Sequence, residues 1–315
     1  MALPRIQVVK DEYEAGGMNA GATSLHPSSF RLHPSGGRLR LRFERDRDGG
    51  QTALAACEQR PPLKVVRAFH AGGGAALVHL HNLSGGVLGG DRLESFVEVG
   101  PGARAQITTT GATRLYRSRT GAPAAAQRTA ISVGEGALLE FLPDALIPFR
   151  GSRYLQETAI ELAAGAGLFC WETVAPGRDA RGELFEYELL QLKLDLTAEG
   201  MPLAEERVRL EPARRPLSST ARLGPFRYFS TLYICRVGLE AARWTELETE
   251  LAELARRLSR PFEILWGAST LPAHGVVVRG LSVRGRDVAP GLHAFWRAAK
   301  LRLYGEPAVP PRKIY

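Results

Sequence analysis

Cysteine is scarce in this chain, with three in 315 residues. Cys57, Cys170 and Cys235 stand far apart, and no C-x-x-C occurs. An odd number at such spacing argues against a disulfide framework and a zinc ribbon, and it fits a reducing compartment. No apolar run approaches the ~20 residues of a membrane span. The N-terminus shows no basic segment followed by an apolar one, so no secretory signal is read. No Gly-Lys-Ser/Thr follows a glycine cluster, which excludes a P-loop. The strand–helix alternation of a parallel α/β enzyme is also missing. These absences lead to the expectation of a cytoplasmic protein with no membrane contact.

The charge is abundant but mixed. Lys and Arg number 41 against 33 Asp and Glu, a net +8. The basic residues sit beside acids, as in Arg42-Phe43-Glu44-Arg45-Asp46-Arg47-Asp48. That pattern reads as a solvated surface rather than a nucleic-acid stripe, and no nucleic-acid partner is expected.

Residues 1–35 are rich in Gly, Ser, Asn and Pro without periodicity, and are read as a flexible N-terminal arm. From residue 36 to 315 the chain is read as one domain. Its dominant period is two: Leu39, Leu41 and Phe43 alternate with Arg38, Arg40 and Arg42, the pattern of a half-buried strand. Further strands are expected near 51–57, 63–69, 75–81, 184–195, 202–210 and 226–237.

A short unit recurs in the middle. Val99-Gly100-Pro101-Gly102-Ala103 returns as Val133-Gly134-Glu135-Gly136-Ala137 and as Leu162-Ala163-Ala164-Gly165-Ala166. Each copy is flanked by alternating strands, so the three units are read as stacked layers of sheet. Two helices are expected late, near 242–258 and 290–303. Trp244, Leu247, Leu251, Leu254 and Leu258 fall at helical spacing, and so do Leu292, Phe295, Trp296 and Ala299, with Gly305 placed as a stop. The fold expected is mainly β: layered, stacked antiparallel sheets with two α-helices in the C-terminal third.

The candidate chemistry centres on Gly85-Gly86-Val87-Leu88-Gly89-Gly90-Asp91. A dinucleotide fingerprint needs a helix after its glycines, and here Leu93 to Val99 alternates like a strand. Gly85, Gly86, Gly89 and Gly90 therefore read as a tight corner that ends on the Asp91 carboxylate. Just upstream, His79 and His81 lie two apart on an expected strand and share a face, the candidate metal pair for nickel, copper or zinc. A metal-dependent hydrolase using His79, His81 and Asp91 is the alternative function.

Several segments in order resemble one known family. They are Leu80-His81-Asn82-Leu83-Ser84 running into the glycine corner, Thr109-Thr110-Gly111-Ala112-Thr113-Arg114-Leu115-Tyr116-Arg117-Ser118, Leu139-Glu140-Phe141-Leu142-Pro143-Asp144, Pro176-Gly177-Arg178-Asp179-Ala180-Arg181-Gly182-Glu183, and Pro311-Arg312. Together they resemble the UreD (UreH) urease accessory family, from about Gly37 to the C-terminus. The resemblance implies a non-enzymatic scaffold with helically stacked β layers. It implies a UreF-like partner, a UreG-like GTPase recruited through it, and docking on apo-urease to assist nickel delivery through a polar internal passage. No tightly bound cofactor is implied, only Ni2+ in transit. The polar positions carried over by motif are Asp91, Thr113, Glu172 and Glu206, with Glu172 standing where the family usually has aspartate.

Overall fold

The computed structural model describes residues 36–46 and 50–311. The expected arm, residues 1–35, and Arg312 of the terminal motif lie outside them. Strands are numbered in chain order. One sheet has seven, in spatial order β15 (Met201–Leu210), β14 (Leu189–Ala198), β12 (Arg153–Leu162), β9 (Ala125–Val133), β6 (Arg92–Val99), β1 (Gly36–Arg45) and β2 (Thr52–Arg60). The second runs β17 (Ile264–Thr270), β18 (Gly275–Ser282), β16 (Tyr228–Arg236), β13 (Gly167–Val174), β10 (Leu138–Phe141), β7 (Arg104–Thr109), β5 (Ala76–Asn82) and β3 (Leu63–Lys64). Short strands β4 (Ala68–His70), β8 (Thr113–Leu115) and β11 (Leu146–Pro148) lie alongside.

The expected mainly β architecture and the layering are both present, but the pairing differs from expectation at its centre. β6, β9, β12 and β14 are parallel neighbours, as are β5, β7, β10 and β13. Antiparallel pairs are confined to the margins, such as β1–β2, β14–β15, β13–β16 and β16–β18. The recurring glycine unit is the physical reason. It does not fold a hairpin; it carries the chain from the first sheet to the second. β6 turns into β7, β9 into β10 and β12 into β13. Each later copy re-enters its sheet in the same direction, so copies stack in parallel.

The corners stack as well. Gly102, Gly136 and Gly165 all have φ between 61 and 67°, a left-handed conformation that only glycine takes freely. The Gly102 amide donates to the Glu135 carbonyl at 2.8 Å, and the Gly136 amide to the Ala164 carbonyl at 2.9 Å. Each corner therefore satisfies the backbone of the next. The stack ends where Glu199 and Gly200 fold β14 back into β15 as a hairpin in the same sheet.

α1 (Ala241–Leu258) and α2 (Val288–Tyr304) fall where the periodicity places them. Trp244, Leu247 and Leu251 of α1 and Leu292, Phe295, Trp296 and Ala299 of α2 are buried against the outer face of the second sheet. Gly305, at φ 67°, caps α2. A buried ion pair ties α2 to the stack: Lys300 Nζ lies 2.8 Å from Glu140 Oε1, and Trp296 Nε1 donates to the same oxygen at 2.8 Å.

Candidate functional site

The inner face of the seven-stranded sheet is built in rows fixed by its register. Nearest the corners the rows are apolar: Val99, Val133 and Leu162, then Val97, Ile131, Ile160 and Leu196. Those residues are all buried. The next row inward is Ser95, Thr129, Thr158, Leu194 and Glu206, and after it come Gln127 and Gln156 beside Leu192. The facing sheet answers with Glu172, Thr231 and Arg279 on one row and Cys170 and Tyr233 on another. Between the two faces lies a cavity of about 100 Å3.

Its lining includes Thr113, Glu172 and Glu206, three of the four polar positions carried over by the family resemblance. Thr109, Gln127, Thr129, Asp144, Gln156, Thr158, Lys193, Thr231 and Tyr233 are its other polar and charged lining residues. At the end near Thr113, Thr109 and Asp144 bond reciprocally: the Thr109 hydroxyl donates to Asp144 Oδ2 at 3.0 Å, and the Asp144 amide donates back at 2.8 Å. Tyr154 sends its hydroxyl to Gln127 Oε1 and Gln156 Oε1, both at 3.1 Å.

Glu172 is the unusual group. The Gln156 amide donates to its Oε1. Burial pushes its carboxyl up to about 7; the Gln156 hydrogen bond opposes that rise and the nearby Glu206 charge adds to it. The surface left to Glu172 borders the cavity it lines. Glu206 is held more firmly. The Tyr233 hydroxyl donates to its Oε2 at 2.5 Å and Arg279 Nη1 to its Oε1 at 2.6 Å. Burial and that bond to Glu206 both raise the Tyr233 phenol well above its ordinary value.

Asp91 is placed elsewhere. It is fully buried, accepts the Leu88 amide on Oδ2 at 2.9 Å, and does not line the cavity. Its carboxylate closes the glycine corner rather than a polar path. The corner itself is as expected. Gly85 and Gly90 have φ of 73 and 91°, and a Cβ on Gly86 would meet the Arg114 carbonyl at 2.5 Å. Glu205 faces outward beside Arg207, and Glu183 pairs with Arg178.

His79 and His81 share a face of β5, but the opposite one from Leu80, which lines the cavity. His79 is buried with its ring edge-on to Phe69 at 5.7 Å. Among the described residues, no three His, Cys, Asp or Glu side chains gather into a group that could hold a metal ion. The geometry that the hydrolase alternative needs is therefore not assembled there. No helix among the described residues is long and apolar enough to cross a membrane.

One signal for the missed residues was present in the sequence. Ser95, Thr129 and Thr158 each stand four residues before the Val or Leu that opens a corner, and Gln127 and Gln156 stand six before. Tyr233 and Arg279 had no such signal, because they reach the site only through sheet pairing.

Comparison with known proteins places the chain in a family. The profile of the family described as UreD urease accessory protein matches residues 35–314. The urease accessory protein UreD of Herpetosiphon aurantiacus is 45% identical over 288 residues, covering 91% of this chain and 99% of that protein. The protein of the same name from Alkalilimnicola ehrlichii is 36% identical over 287 residues, covering 91% and 94%. That from Haloarcula marismortui is 33% identical over 280 residues, covering 88% and 90%. The chain belongs to the UreD family of urease accessory proteins, whose members serve in the maturation of urease.

Proposed function

We propose that this chain is a non-catalytic scaffold that assists nickel delivery to apo-urease, with the cavity between its sheets as the route of the ion. In this reading it binds a UreF-like accessory protein, which brings a UreG-like GTPase, and the assembly docks on apo-urease. Nickel is cargo here, not a resident cofactor.

The observation that carries the reading is the polar band inside the stack. Folding alone favours an apolar interior, and buried polar groups are costly unless hydrogen-bonded. Here Gln127 and Thr129 of β9 repeat in register as Gln156 and Thr158 of β12, Glu206 joins their row from β15, and all face one cavity. Nickel is a borderline cation that oxygen donors and water satisfy weakly. A passage must bind well enough to admit an ion and weakly enough to release it. Hydroxyls, amides and three carboxylates (Asp144, Glu172 and Glu206) meet that demand better than a cage of His and Cys, which would trap the metal.

The test separates assembly from conduction. In cells lacking the protein, Glu172→Ala or Glu206→Ala is expected to lower urease activation well below wild type while still co-purifying the UreF-like partner and apo-urease. Wild-type activation by both variants would remove the cavity from the mechanism. If a wild-type chain captured neither partner, the scaffold reading itself would be wrong.

A further inference from the structure

The cavity is closed on one side by strands from both sheets. β15 is one of the two edge strands of the seven-stranded sheet, and Glu206 points inward from it. Across the gap stand Tyr233 and Thr231 on β16 and Arg279 on β18. Arg279 Nη1 reaches Glu206 Oε1 at 2.6 Å and Thr231 Oγ1 at 3.5 Å, so one guanidinium bridges the edge strand β15 to the second sheet.

The exposures run in order. The Arg279 side chain is 58% exposed and that of Glu206 is 19% exposed. The guanidinium therefore sits at the surface, with the carboxylate just beneath it and the polar band behind. Both Glu206 oxygens are engaged, one by Arg279 and one by Tyr233. A cation reaching this carboxylate from outside meets a donor on each oxygen, and the exposed one is Arg279.

We propose that Glu206 and Arg279 form a cation-exchange port, in which the guanidinium is the resident cation of the cavity mouth and an incoming hydrated divalent cation takes its place on the Glu206 carboxylate. The proposal rests on the reading of the cavity as a nickel route and adds the residue that controls entry.

Simple electrostatics supports such an exchange. More than half of the Arg279 side chain is already in solvent, so the guanidinium stays hydrated when it swings away from Glu206. A divalent cation interacts with the carboxylate about twice as strongly as a single charge at the same distance. A monovalent ion has no such advantage over a hydrogen-bonded guanidinium, and an anion meets a carboxylate. The Tyr233 bond to the other oxygen keeps Glu206 oriented while the exchange proceeds. Behind it, Thr231, Thr158 and Gln156 offer oxygens to the water around the ion.

The experiment is calorimetric titration of the isolated full chain with Ni2+ at fixed pH and ionic strength. Four variants are compared with wild type: Arg279→Gln, Arg279→Lys, Glu206→Gln and Glu172→Gln. With its competitor removed, Arg279→Gln is expected to bind Ni2+ roughly tenfold more tightly, in line with the loss of a weak ion pair and a local positive charge. Arg279→Lys, which keeps the charge but not the fork, falls between the two, and Glu206→Gln binds more weakly than wild type. Thermal melts confirm that each variant is folded. If Arg279→Gln matches wild type or binds more weakly while Glu172→Gln still weakens binding, the port is wrong and the cavity remains a nickel site. If none of the variants alters Ni2+ binding, the cavity is not the route and both readings fall.

Discussion

The interior of the stack changes character along the same strands. Beside the corners, Val97, Ile131, Ile160 and Leu196 form an apolar row with at most 4% exposure. Two residues along, the same strands present Ser95, Thr129 and Thr158, and beyond them Gln127 and Gln156. Backbone pairing and strand direction are shared between the two halves, so the backbone does not decide between them. The apolar half supplies stability through burial, and its side chains close the space between the sheets. The polar half leaves a cavity whose walls mix hydrogen-bonding groups with apolar ones such as Leu80, Phe141, Leu192, Leu194 and Phe229. The difference shows that one repeating scaffold holds a core and a cavity in adjacent rows, by side-chain choice alone.

The largest expected effect breaks the apolar half. Leu162→Ala removes a side chain with no exposed surface. Truncations of this kind cost about 2–5 kcal/mol, readable as a shift in the urea midpoint.

The next tests the polar half through pH. The Glu172 carboxyl is raised to about 7 from an ordinary 4.5. The folded state thus keeps a proton that the unfolded chain releases. This contribution to stability is full below the unfolded value and is lost as pH rises through about 7. The total is on the order of 3 kcal/mol. Glu172→Gln is expected to flatten the difference in stability between pH 5 and pH 8, and an unchanged profile would show that Glu172 is not desolvated as described.

A smaller effect probes what both halves share. Gly136→Ala places a side chain at φ 61°, where strain costs about 1–2 kcal/mol. The variant is expected to melt a few degrees lower without losing its fold.

The smallest stability effect sharpens the comparison most. Thr129→Val and Thr158→Val exchange a cavity hydroxyl for a methyl of similar shape. The exchange keeps the side-chain shape and removes one hydroxyl, a change that costs about 1 kcal/mol. These variants are expected to melt close to wild type while lowering urease activation.

Much of this was legible in the sequence, for identifiable reasons. The alternation of Leu39, Leu41 and Phe43 with arginines, the three glycine corners and the two helical stripes each depend on local geometry, and each element stands where its pattern placed it. The direction of pairing was not legible. A glycine turn between two alternating strands has the same sequence whether it folds a hairpin or crosses to a second sheet, and only the stacked corners distinguish them. At the site, Thr113, Glu172 and Glu206 came together through the family motifs. Asp91 did not join them, because a carboxylate after a tight turn can serve the turn's own amides, and here it accepts from Leu88. Arg279 and Tyr233 were invisible because they meet Glu206 from 73 and 27 residues away.

The most direct measurement fills the polar half. Thr158→Leu, with Gln156→Leu as a second variant, places a larger apolar side chain into the cavity while leaving the outer surfaces untouched. Urease nickel content and activity are then measured in cells that carry the variant with its partners. The account predicts an assembled complex holding urease that is largely nickel-free and inactive. Fully loaded, active urease from an assembled complex with the cavity filled would contradict it.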